Sequence, residues 1–131
     1  MDSHVKELWV KALRSGEYQQ GQGFLHEIPK DGSPAKFCCL GVLCDIAYQN
    51  GVVERKLHNN IADEVGDNYY YGVESPSGAF LPPEVKDWAK MGSGDPRVGE
   101  IRGRGEVSLI DLNDEIKADF EEIANRIENY L

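Results

Sequence analysis

The sequence predicts a single α+β domain in which helices from both ends and the middle of the chain pack on a small, mainly antiparallel sheet. Three observations carry that expectation. Apolar residues recur at helical spacing near residues 5, 40 and 120. Short alternating or aromatic runs, bounded by Gly, Pro and Asn, lie between those stretches. The 131 residues fill one domain of ordinary size and are too few for two that each bury a substantial core.

The elements follow in order. Val5, Leu8, Trp9, Ala12 and Leu13 share one helical face, with Asp2 or Ser3 placed to cap the helix and Gly16 to end it. Residues 17–28 read as irregular chain followed by a short strand. Pro29-Lys30-Asp31-Gly32 reads as a turn, leading to a second strand at Lys36-Phe37-Cys38-Cys39 paired with the first. Leu40, Leu43, Cys44 and Ala47 return to helical spacing, and Gly51 is a stop. Gly41 inside that helix costs about 1 kcal/mol relative to alanine, so another backbone or a ligand is expected close to it. Within 52–81 only Tyr69-Tyr70-Tyr71 reads as a strand, and alternation puts Tyr70 on the face opposite Tyr69 and Tyr71. Leu81–Ala89 is a short helix with proline in its first turn, closed by Gly92. Residues 92–105 hold five glycines together with Arg97, Arg102 and Arg104, and read as a flexible, locally basic loop. The final helix carries Phe120, Ile123, Ala124, Ile127 and Leu131 as one stripe, and Asp119 with Glu122 forms its capping box.

Charge and composition exclude several classes of function. Fourteen Lys and Arg against 23 Asp and Glu leave a net charge of −9, which repels nucleic acid, so no polynucleotide partner is expected. A small anion remains compatible, because a local basic pocket overcomes a distant, salt-screened surface. There is no apolar run of membrane-spanning length and no secretory signal, which predicts a cytoplasmic protein without membrane contact. Cys38, Cys39 and Cys44 crowd into one short segment as an odd trio. Reduced, buried thiols are the leading reading, ahead of a zinc site or a cysteine nucleophile with His26 as base. Seven acidic against two basic residues between 111 and 128 suggest DNA mimicry less than a solvated helical face.

The run Phe37-Cys38-Cys39-Leu40-Gly41-Val42-Leu43-Cys44-Asp45 is joined by three further motifs in order. They are Trp9…Ala12-Leu13-Arg14-Ser15-Gly16-Glu17-Tyr18…Gln20, Leu81-Pro82…Val85…Trp88, and Leu112-Asn113-Asp114…Phe120…Ile123-Ala124…Ile127-Glu128. Together they resemble a family of small proteins encoded by phages and prophages, over nearly the whole chain. Ile116 stands where such proteins often carry a glycine. The resemblance implies a phage accessory protein acting in the host cytoplasm, where small acidic proteins of that kind often counter host immunity by binding a host protein or sequestering a nucleotide signal.

Candidate ligand-binding residues are Tyr18, Gln20, Tyr70, Arg102, Arg104, Asn113 and Asp114. Asn113 and Asp114 suit turn chemistry, or else the edge of a ribose or base, with Tyr18 supplying an aromatic face. Arg102 and Arg104 offer planar forks for phosphate on a glycine-rich segment, although no Walker or dinucleotide fingerprint is present and no cofactor or metal is expected. The expected function is sequestration of a small phosphorylated nucleotide, cyclic ADP-ribose-like or a cyclic oligonucleotide, by a homodimer or higher homo-oligomer. The alternatives are an acidic protein-interaction inhibitor of a host defence factor and a phosphodiesterase using His26 or His58 as acid or base.

Overall fold

The computed structural model of the chain describes residues 1–61 and 65–131. Helix α1 (Ser3–Arg14) is followed by strands β1 (Gln19–Gln20), β2 (His26–Ile28) and β3 (Lys36–Phe37), then by helix α2 (Cys39–Gln49). Strands β4 (Arg55–His58) and β5 (Asp67–Tyr71) precede helix α3 (Pro83–Ala89). Strands β6 (Arg97–Ile101) and β7 (Gly105–Ser108), a π-helical turn (Asp111–Ile116) and helix α4 (Phe120–Tyr130) complete the chain. The main sheet runs β1-β3-β2-β5-β4, with only the β1–β3 pair parallel, and β6–β7 form a separate hairpin. The α+β domain expected from the sequence is therefore the observed one.

Local chemistry explains the helix ends. The Asp2 carboxylate accepts from the Val5 N–H at 2.9 Å, and that of Asp119 accepts from Glu122 at 2.9 Å, each satisfying a donor that an open helix leaves unpaired. Helix α3 ends at Lys90, a left-handed residue at φ 54°, two positions before the glycine expected to close it. The α2 N-cap residue, Cys38, makes no side-chain cap; the Cys39 N–H instead donates to Asn113 Oδ1 at 3.2 Å, from the π-helical turn.

Gly41 has a clear reason to be glycine. A Cβ there would lie 1.6 Å from the Leu25 carbonyl oxygen, so the close neighbour expected from the sequence is backbone, the segment leading into β2. Helix α2 is buried from Cys39 to Ala47 and anchors the core. Trp9 of α1, fully buried, donates its indole N–H to the Cys39 carbonyl at 2.9 Å.

The segment 92–105 departs from the expected flexible loop. It contributes β6 and the tight turn into β7, with Gly103 and Gly105 at positive φ and the Arg104 N–H donating to the Ile101 carbonyl at 2.9 Å. Tertiary contact orders it. Val98 and Val107 are buried, Arg126 of α4 donates to the Val98 carbonyl at 3.0 Å, and the Tyr130 ring lies against Gly99, where a Cβ would come within 2.3 Å. None of the described helices is long and apolar enough to cross a membrane.

Candidate functional site

Alternation along β4 and β5 sorts their side chains onto two faces of the sheet. Lys56 faces Tyr70 and His58 faces Asn68 across the β4–β5 pair, while Arg55 faces Tyr71 and Leu57 faces Tyr69. The first set lies on the outer face, the second on the inner face towards α2. Tyr70 is therefore separated from its two tyrosine neighbours, as alternation predicts.

On the outer face the Tyr70 side chain is exposed, with the His58 ring set edge-on to it at 5.5 Å between centroids. Two hollows flank that ring. One, of about 430 Å³, is lined by Glu54, Arg55, Lys56, His58, Tyr70 and Pro76 among others. The second, of about 310 Å³, is lined by Phe24, Asn68, Tyr70, Pro76, Ser77 and Gly78 among others, with no charged side chain. Asn68 is 2% exposed and its Oδ1 accepts from Asn60 Nδ2 at 3.0 Å. Asn60 Nδ2 also donates to the Gly66 carbonyl at 2.6 Å, which fixes the orientation of both amides: Asn68 presents its oxygen to Asn60 and turns its nitrogen away. That nitrogen is buried and, among the described residues, without a hydrogen-bond partner. An orphaned buried donor costs about 1–3 kcal/mol, so its retention calls for an explanation.

The inner face is satisfied internally. Tyr18 donates its hydroxyl to Asp45 Oδ2 at 2.6 Å, Gln49 donates to the same oxygen at 2.8 Å, and Arg55 approaches Asp45 Oδ1 at 3.6 Å. The Arg55 guanidinium stacks over the Tyr48 and Tyr69 rings at 4.0 and 4.3 Å, which offsets part of the cost of withdrawing it from water. His26, 5% exposed, packs on Phe37 at 4.1 Å and Tyr69 at 4.6 Å, and its Nδ1 meets the Tyr71 hydroxyl at 2.8 Å. Burial, and then the nearby Arg55 charge, push the His26 imidazole down to about 4. It is a neutral ring near neutral pH and a poor general acid. Burial first, and then the bond to Asp45, hold the Tyr18 phenol well above its usual range. Cys38, Cys39 and Cys44 are free and buried, and burial pushes the Cys38 thiol up to about 12, far from an activated thiolate.

The sequence-predicted residues divide into four places. Tyr70 stands between the outer hollows, and Tyr18 belongs to the inner network. Gln20, Asn113 and Asp114 come together, but they serve the fold: Asn113 is fully buried, accepts from Gln20 and Cys39, and donates to the Gly21 carbonyl and Asp114. Arg104 pairs with Glu115, and Arg102 is exposed at the tip of the β6–β7 turn. Neither arginine borders the outer hollows. A further hollow, of about 700 Å³, follows α1 beside Glu128 of α4, and two of its cations are engaged: Arg14 pairs with Glu121 and Glu128, and Lys6 donates to the Glu128 carbonyl.

A family model described as a domain of unknown function, DUF8296, matches residues 1–131. The chain belongs to the DUF8296 family. No curated protein and no solved structure matches it.

In this DUF8296 chain the residues that sequence reasoning passed over are Lys56 and Asn68, with Arg55 and Asp45 beneath them. The signal for Lys56 was present: Arg55-Lys56-Leu57-His58 is a cationic cluster in an acidic chain, one step away from the tyrosine triplet in the pairing. Asn68 carried no signal, because its orphaned nitrogen is a product of the contact with Asn60.

Proposed function

We propose that this DUF8296 chain is a non-enzymatic binding protein that sequesters a small phosphorylated nucleotide on the outer face of its sheet. The observation that carries the reading is the exposed Tyr70 ring, which borders both a hollow edged by Lys56 and His58 and a second, uncharged one. An aromatic face beside cations suits a planar base joined to a phosphate, each matched to its own neighbour. Glu54 on the same rim opposes the anion, and the Arg55 guanidinium is held on the inner face by Asp45, Tyr48 and Tyr69, so Lys56 and His58 carry the phosphate contact. The biological setting, a phage-encoded antagonist of host immunity, rests on the motif resemblance. Sequestration is favoured over cleavage because His26 is shut away as a neutral base, leaving His58 as the one exposed imidazole at the groove.

The test is incubation of purified protein with a panel of cyclic oligonucleotides and cyclic ADP-ribose-like compounds, followed by denaturation and recovery. Intact ligand, depleted from solution by wild type and at least fivefold less by Tyr70→Ala with Lys56→Ala, is the expected result. Recovery of cleaved product supports the phosphodiesterase instead. Absence of depletion across the panel overturns the reading in favour of a protein-interaction inhibitor. Light scattering at micromolar concentration tests the expected homo-oligomer, which would deepen these open hollows.

A further inference from the structure

Strand β4 stands at the end of the main sheet with one edge unpaired. The Gly72 N–H donates to the Glu54 carbonyl at 2.8 Å, and bonded pairs recur at every second residue of an antiparallel ladder, so Lys56 and His58 turn their backbone groups towards β5. Arg55 and Leu57 therefore point theirs outwards, where none of the described residues bonds them. The register is unbroken along β4, the strand holds no proline, and Leu57 is exposed on it, so only Lys56 guards the edge against pairing. Glu54, two residues earlier on the same face, changes what that lysine does. The run Val53-Glu54-Arg55-Lys56-Leu57 is ordered apolar, acidic, basic, basic, apolar, and reversal about Arg55 sets acid against base and apolar against apolar.

We propose that a second copy of the chain pairs antiparallel along β4 about a twofold axis at Arg55, joining the two main sheets into one, an interface independent of the nucleotide reading. The outward backbone groups of Arg55 bond to those of Arg55 in the second copy, and those of Leu57 to Val53, in phase with the ladder already formed. Glu54 and Lys56 then stand directly opposite Lys56 and Glu54 of the second copy on the outer face, in non-bonded pairs with Cα atoms about 4.5 Å apart. The two Arg55 side chains share the inner face near the axis, but each guanidinium is drawn to its own Asp45 at 3.6 Å and held over its own Tyr48 and Tyr69 rings. An axis at Lys56 sets two lysines face to face, and one at Leu57 sets Lys56 against His58, so charge selects Arg55. The net charge of −9 on each chain opposes self-association in general, and β4 is where opposite charges meet in pairs. The same pairing sets a lysine against the Glu54 that opposes an anion at the rim of the hollow.

Sedimentation velocity of the chain without nucleotide, from about 1 to about 100 µM, reads the association. Wild type is expected to dimerise within that range. Glu54→Lys and Lys56→Glu each place like charges opposite one another twice, and each should weaken the dimer about tenfold or more. An equimolar mixture of the two variants restores it, because every opposing pair is then acid against base, a rescue that a folding defect in either variant does not produce. Leu57→Pro removes an N–H from the free edge alone and should also yield monomers, with thermal melts confirming that it folds. Tyr70→Ala, which removes the ring of the nucleotide seat, should leave the dimer unchanged, so the interface and the seat are judged separately. A wild type that is monomeric at about 100 µM overturns the proposal, and so does a dimer that both charge reversals leave intact.

Discussion

Protonation of His26 is expected to destabilise the fold in a pH window set by its burial. The ring is stacked on Phe37 and Tyr69, and its Nδ1 faces the Tyr71 hydroxyl. Arg55 lies beside that hydroxyl, so an imidazolium would gain a second positive charge as neighbour in a site that water barely reaches. The folded imidazole takes up its proton only at about pH 4, whereas the unfolded one does so near its ordinary 6.5. The folded state therefore prefers the neutral ring: this contribution is full above pH 6.5, declines as pH falls from 6.5 to 4, and is exhausted below. Its full size is about 3 kcal/mol, from about 1.4 kcal/mol per pH interval of one. The assay is urea unfolding of wild type and His26→Gln at pH 7, 5.5 and 4.5, where the carboxylates titrate alike in both chains and the difference isolates the imidazole. The stability advantage of wild type should shrink by about 1 kcal/mol at pH 5.5 and by about 2 kcal/mol or more at pH 4.5, relative to pH 7. An advantage independent of pH, or an NMR titration midpoint for His26 above 6, would refute the reasoning.

Gly41→Ala should destabilise by about 3 kcal/mol or more, since helix α2 must retreat from the Leu25 carbonyl by over an ångström, whereas helix propensity alone would stabilise by about 1 kcal/mol. Urea unfolding decides the sign, and a stabilised variant would remove the close approach. Asn113→Ala should cost about 3 kcal/mol, because it leaves the Cys39 N–H, the Gly21 carbonyl and the Gln20 amide without their buried partner. A loss below about 0.5 kcal/mol in thermal melts would show that this bond network has no structural role.

The outer elements were legible because their signals are local. Helices α1 and α4 show apolar stripes and Asp caps within a few residues, and helix propensity and capping act over that range. Gly41 was also legible as a close approach, because glycine inside a helix is unfavourable without a packing reason. Segment 92–105 was misread for the opposite cause. Its glycines and arginines have weak strand propensity, and the hairpin is held because Val98 and Val107 are buried and Arg126 and Tyr130 of the distant helix α4 pack against it.

The candidate site follows the same division. Tyr70 was readable as an outward-facing aromatic from alternation alone, a property of strand geometry that needs no partner. Asn113 and Asp114 looked equally available for a ligand, yet the structure gives Asn113 the task of capping α2 from a turn 74 residues away. Side-chain amides have the same chemistry wherever they stand, and burial with a choice of neighbours decides what they bind. For Asn113 every polar atom finds a protein partner. For Asn68 Asn60 takes the oxygen and leaves the nitrogen, a difference that only tertiary packing creates.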